Sequence, residues 1–168
     1  MNEAAARDVM DDLAGLAPGS PLAQLRRERP EVVRHMQASD AAIFAPRDDG
    51  GLTRAERAAA ALRTTILLRD PALAAHYRAR LDRLDPAGAL AASVQAGALA
   101  GGERRWAAML AHVDRVTADP DRATRGDIDG LRAAGLSPRA VVALSQLIAY
   151  VNFQSRVLAG LRMLRDAQ

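Results

Sequence analysis

Five times along this chain a serine or aspartate stands directly before a proline: Ser20-Pro21, Asp70-Pro71, Asp85-Pro86, Asp119-Pro120 and Ser137-Pro138. Proline suits the first helical position, where a backbone N–H would lack an intrahelical partner. The Ser or Asp before it can accept from the next free donors. The pattern therefore predicts repeated helix starts and cuts the chain into short helices. A sixth start is Thr53-Arg54-Ala55-Glu56, a capping box in which Thr53 and Glu56 serve each other's backbone donors. Breaks are expected at Ala17-Pro18-Gly19, over Pro46 to Gly51, over Gly97 to Gly102, and at Gly135, where a glycine after Leu131-Arg132-Ala133-Ala134 suits a left-handed cap.

Between these marks the apolar residues recur at helical spacing, as in Val9, Leu13 and Leu16, or Leu144, Leu147, Ile148, Val151 and Leu158. No segment alternates as a strand would. The expectation is an all-α, compact multi-helix bundle of roughly eight helices. The last, from Pro138 to about Arg165, would form a spine of about 40 Å. Asp8 to Leu16 and Leu22 to Phe44 also read as helical, so residues 1–50 are taken as an N-terminal helical extension of a domain spanning 51–168, the two making one compact unit.

Composition narrows the chemistry. The 168 residues are 49% apolar, enough for one core, and only 3% aromatic. There is no cysteine, which removes disulfides, thiolate nucleophiles and thiolate metal ligands. There is no lysine either, so all 23 basic residues are arginines and amine-based covalent catalysis is excluded. The net charge is only +3 because 20 acidic residues are interleaved. No basic block is paired with stacking aromatics, which argues against a nucleic-acid partner. The start Met1-Asn2-Glu3-Ala4 is not a basic segment followed by an apolar run, and the longest apolar stretch, Ala140 to Val151, is broken by Ser145 and Gln146. A cytoplasmic protein without a membrane span is expected.

Leu52 to Arg57, then an apolar helix, then Asp70-Pro71-Ala72-Leu73-Ala74-Ala75-His76-Tyr77 resembles the central motif of the alkyl hydroperoxidase D-like proteins. Trp106 to Leu110, Thr117 to Pro120, Asp127-Ile128, Leu131 to Ser137 and Gln146 to Phe153 resemble the peroxidase-related branch of that family. The resemblance covers roughly Leu52 to Leu161 and implies the family's helical fold, with assembly as dimers, trimers or hexamers. It places the family's C-x-x-C pair on Asp70 and Leu73, its relay acid on Ala58 and its relay histidine on Tyr77. All four are substituted. A thiol peroxidase needs one thiolate to attack the peroxide and a second thiol to resolve the sulfenic acid, so neither half-reaction is available. The same stretch resembles the carboxymuconolactone decarboxylase branch, whose L-x-x-H-x-R-A pattern is read here by Leu73, His76, Arg78 and Ala79.

The residues therefore nominate His76 as a general acid/base with Tyr77 beside it as a hydrogen-bond donor; Asp70, Arg80 and Asn152 are candidates for substrate binding. Each has an ordinary structural reading as well. His76 can be a hydrogen-bonded, partly buried histidine, Tyr77 can fill the space of a lost active site, Asp70 can cap its helix, and Asn152 can face either a pocket or an interhelical contact. The run Arg78, Arg80 and Arg83 could hold an anion, but Asp82 and Asp85 interrupt it. His35 and His112 have no partner at metal-ligand spacing, so no metal and no cofactor are expected. Two functions follow: cofactor-free acid/base chemistry on a small molecule, or a non-catalytic, homo-oligomeric binding or scaffold protein of the same fold. An open cavity beside His76 favours the first, a filled one the second.

Overall fold

A computed structural model of the chain describes residues 8–96 and 103–167; the expected break over Gly97 to Gly102 lies outside them. Capping chemistry sets most helix starts. Ser20 accepts from the Ala23 N–H at the head of α2 (Pro21–Arg27), after the short α1 (Val9–Ala14). The Thr53–Glu56 capping box forms in both directions, at 3.2 and 2.8 Å, and opens α4 (Arg54–Leu67). Asp70 opens α5 (Pro71–Leu84) and Ser137 opens the 29-residue α9 (Pro138–Asp166), about 43 Å long at 1.5 Å per residue. Gly135 adopts a positive φ of 92°, as a left-handed cap requires, and Leu136 N–H reaches back to the carbonyl of Leu131.

The described residues hold nine α-helices, one more than the rough count of eight, and no strand, in keeping with the all-α expectation. The difference arises at Arg29-Pro30. Proline disfavours helical backbone in the residue before it, and Arg29 sits at φ −124°, ψ 70°. The stretch Leu22 to Phe44 is thus divided into α2 and α3 (Pro30–Phe44). Two expected starts are displaced as well. Asp85 closes α5, and its carboxylate accepts from Leu90 N–H inside α6 (Ala89–Ala96), which begins three residues beyond Pro86. Asp119-Pro120 opens only a 3₁₀ turn (Pro120–Arg122) after α7 (Arg104–Ala118). The next helix, α8 (Arg125–Ala133), is started by a separate capping box between Thr124 and Asp127. A cap–proline pair marks where a chain turns, and the apolar residues downstream decide whether a full helix follows.

Helix α4 lies at the centre. Ala58, Ala59, Ala60 and Ala61 are all fully buried. Successive residues advance by about 100° around a helix, so four in a row face every direction, and α4 is enclosed on all sides. Its neighbours are α5, α9, α7 and α6. Alanine lets these backbones come close, and Thr64 and Thr65, also buried, return their hydroxyls to the carbonyls of Ala60 and Leu62. Around this centre α9 also contacts α1, α2, α3, α7 and α8. No helix among the described residues is long and apolar enough to cross a membrane.

Arginines fasten the surrounding segments. Arg57 is buried and donates to the carbonyls of Leu52, Ile43 and Asp49 at 2.7–2.8 Å, holding the loop that joins α3 to α4. Arg63 grips Asp114 through two hydrogen bonds and reaches the Val94 carbonyl, tying α4 to α7 and α6. Arg26 pairs with Asp8 and Asp11, while Arg162 and Arg165 donate to the Leu13 and Ala14 carbonyls at the end of α1. The N-terminal helices are thereby held against α9.

Two substitutions test this packing in chemical denaturation. Ala60→Leu forces a side chain into an enclosed site and should lower stability by about 1–3 kcal/mol or more. Arg57→Met leaves three inward carbonyls without their donor and should lower it by about 2–4 kcal/mol. The exposed neighbour Arg54→Met should move it by less than about 0.5 kcal/mol. Equal effects at 54 and 57 would contradict the role given to Arg57.

Candidate functional site

Helix α5 divides its residues between core and cavity. Leu73, Tyr77 and Leu81 recur every four residues and are fully buried. His76, Arg80 and Arg83, at the i, i+4 and i+7 positions of another face, border a cavity of about 210 Å³. Helix α3 contributes Met36, Gln37 and Asp40 to it. Helix α9 contributes Tyr150 and Gln154, and Asp8, Val9 and Met10 at the start of α1 complete the wall.

His76 is half-buried, and neither ring nitrogen has a hydrogen-bond partner among the described residues. Burial, and then the charge of Arg80, lower its pKa, while Asp40 opposes the shift. At neutral pH the ring is therefore uncharged, with one nitrogen free to accept a proton. Arg80 beside it is held rigidly: it donates to both carboxylate oxygens of Asp40, at 3.1 and 2.9 Å, and its guanidinium lies 4.3 Å from the centre of the Phe44 ring.

Tyr77 faces the other way. It is fully buried, its ring 5.1 Å from that of Phe44, and its hydroxyl donates to Oε1 of Gln154 at 2.5 Å. Gln154 donates in turn to the Tyr150 hydroxyl at 3.2 Å, which donates to the Met36 carbonyl at 3.1 Å. The chain of donors runs in one direction from α5 through α9 to α3 and leaves every polar atom in it satisfied. Burial raises both phenol pKa values, Tyr77 strongly, so neither tyrosine ionises near neutrality. Tyr77 positions the cavity wall rather than lining the cavity.

Asp70 is not at the cavity. Its carboxylate caps α5 through the Leu73 N–H and receives two hydrogen bonds from Arg162, at 3.0 and 3.1 Å. Because Arg162 also donates to the Leu13 carbonyl, Asp70 links the head of α5 to the end of α1. Asn152 donates to the Ile148 carbonyl one turn back, accepts from Arg156, and does not border the cavity. Of the residues singled out from the sequence, the structure thus brings His76 and Arg80 together, with Tyr77 behind them, and sets Asp70 and Asn152 elsewhere.

Asp40 and Gln154 were missed. Gln154 had a signal: it continues the spacing of Leu144, Leu147, Val151, Leu158 and Leu161 along α9, the one polar member of a buried stripe. Asp40 lies forty residues from Arg80 and had none. Among the described residues no group of three or more His, Asp or Glu is placed to hold a metal. His112 is buried, with Nε2 at 3.3 Å from the Ser145 hydroxyl and Nδ1 without a partner among the described residues. Its pKa is lowered by burial, against a smaller opposing effect of Asp127.

No family model and no curated protein matches the chain. Among solved structures, an uncharacterized peroxidase-related protein from Silicibacter sp. TM1040 is similar to it, with a TM-score of 0.67 and 18% identity over 77% of this chain and 68% of that one. The likeness is one of fold, and this chain shares that protein's helical architecture.

The two lowered histidines give a signed pH dependence. A histidine whose folded pKa lies below its unfolded value of about 6.5 contributes stability that is fully present above that value. The contribution is lost as the pH falls through the folded pKa. Stability measured by denaturant should therefore drop between pH 7 and pH 5. The double variant His76→Gln/His112→Gln should flatten that slope; an unchanged slope would show that other groups carry it.

Proposed function

We propose that the chain is a cysteine-independent member of the carboxymuconolactone decarboxylase and alkyl hydroperoxidase D-like group. In this reading it holds a small molecule in the His76 cavity and moves a proton with His76, without a cofactor, in the cytoplasm. The observation that carries the proposal is a half-buried histidine whose ring nitrogens have no hydrogen-bond partner among the described residues, bordering an open cavity beside a fixed arginine. A histidine kept only for packing has no need of such an opening, and a neutral imidazole near pH 7 is suited to general base work. Thiol peroxidase chemistry is absent from the reading because the chain has no cysteine. The positions that the resemblance gives to the thiols and the relay histidine hold Asp70, Leu73 and Tyr77, all buried and occupied with cap, core and hydrogen-bond roles.

One observation favours the second reading, a homo-oligomeric scaffold. Helix α9 exposes Val142, Phe153, Met163 and Leu164, apolar surface that a second copy could cover. The two readings are compatible, since none of these four residues borders the cavity.

Purified protein with a dithiol and organic hydroperoxides should show no turnover above a buffer control. Any activity discovered for the protein should be lost in His76→Gln with thermal stability nearly unchanged. Full activity in that variant, or thiol-dependent peroxide turnover in the parent, would overturn the proposal. Native mass spectrometry reports the subunit number; Phe153→Arg should lower it if α9 carries the assembly.

A further inference from the structure

We infer that α3 is a lid over the His76 cavity, latched by the Asp40–Arg80 pair and able to lift about its anchored end at Phe44. The inference rests on the reading of that cavity as a small-molecule site, and it begins from a disparity in packing. Helices α3 and α7 are both 15 residues long, yet α7 buries Trp106, Met109, Leu110, His112 and Val113, whereas α3 buries only its last residue, Phe44. Hollows run beneath the rest of it. Pro30 and Val33 border a cavity of about 420 Å³, Met36, Gln37 and Asp40 the His76 cavity, and Ala42 and Ile43 a third of about 530 Å³. Folded cores are close-packed, and a helix with few buried apolar contacts belongs to the low-stability parts from which active-site lids are drawn. Its outer face does not suit an apolar partner either: Val32 is its one exposed large hydrophobe, beside Glu31, Arg34, His35 and Gln37.

What holds α3 down is polar and local. At its end Arg57 donates to the Ile43 carbonyl at 2.8 Å, and the Phe44 ring lies 5.1 Å from that of Tyr77, which makes this end the pivot. Over the cavity there are two ties. The Tyr150 hydroxyl donates to the Met36 carbonyl at 3.1 Å, and Arg80 holds both carboxylate oxygens of Asp40. Toward the start, residues 30–35 make no hydrogen bond or ion pair to another helix among the described residues. The backbone leaves helical geometry at both ends, at Arg29 (φ −124°, ψ 70°) and at Ala45 (φ −136°, ψ 48°). Helix α3 can therefore turn as a unit while α2, seated through Leu22 and Ala23, stays in place. Lifting it removes Met36, Gln37 and Asp40 from the wall and opens the cavity on that side; lowering it shields His76 from water and returns the carboxylate to Arg80. Bidentate and charge-assisted, the Asp40–Arg80 pair is the stronger of the two ties, so its loss shifts α3 toward the open position.

The chain has no cysteine, so spin labels can be placed on it without background. Labels at Glu31→Cys on α3 and Ala79→Cys on α5, both exposed, report the separation of lid and platform by double electron–electron resonance. Residue 31 lies about 20 Å along the helix from the pivot, at 1.5 Å per residue, which magnifies any rotation. Asp40→Asn, which keeps the shape and drops the charge, should add a population longer than the parent's by about 5 Å or more, the scale of a one-turn displacement. In unlabelled protein it should also speed modification of His76 by diethyl pyrocarbonate severalfold, with exposed His35 and buried His112 as fast and slow references. Asp48→Asn, which breaks the exposed pair with Arg139 beyond the pivot, should change neither reading. A second label pair, Ala79→Cys with Ala159→Cys, joins α5 to α9 and should stay as in the parent. The lid is refuted if Asp40→Asn leaves the α3 separation unchanged, lengthens it without speeding His76, or shifts the α5–α9 pair as well. It is refuted equally if Asp48→Asn has the same effects. The acid/base reading would survive that failure, since it stands or falls on the activity of His76→Gln.

Discussion

The close enclosure of α4 by its neighbours is the constraint from which the positions of the other helices follow. Ala58 to Ala61 present only methyl groups in every direction, so α5, α6, α7 and α9 can all approach the same backbone. Once α5 is seated through Leu73, Tyr77 and Leu81, the rotation of that helix is set, and His76, Arg80 and Arg83 must emerge together on the side where α3 and α9 pass. The cavity is thus a by-product of how one small-residue helix is surrounded. Its chemistry depends on which residues α5 had left to present there.

Around that centre, guanidinium groups do the joining. They work in two modes: as forks on carboxylates far away in sequence, such as Arg63 on Asp114 and Arg80 on Asp40, and as donors to carbonyls at loops and helix ends, such as Arg57 and Arg165. Lysine is absent from the chain, and an ammonium holds its three donors on one nitrogen, whereas Arg57 reaches three carbonyls from three separate nitrogens. The fold therefore relies on geometry-specific polar ties where aromatic packing is scarce.

Local signals were legible in the sequence; long-range pairings were not. Thr53 with Glu56, Ser20, Asp70, Ser137 and Gly135 act as their residue types and neighbours announce, because capping is settled within four residues. Asp85-Pro86 and Asp119-Pro120 carry the same lettering but sit where the following residues turn before a full helix begins. At the site, His76 and Arg80 could be read from one helix and its family resemblance. Asp40 and the Gln154–Tyr150–Met36 sequence of hydrogen bonds depend on α3 and α9 crossing α5, which no local pattern encodes. The positive φ of Arg69, 56°, was equally silent, since the tight passage from α4 to α5 uses an arginine where glycine usually gives the clue.

Asp70 carries a consequence for any substitution at the head of α5. It caps a helix, neutralises Arg162 and through it secures the end of α1. A neutral residue at that point would forfeit the carboxylate cap and leave the Arg162 guanidinium without its anion. A change at position 70 would therefore require Arg162 to change in concert.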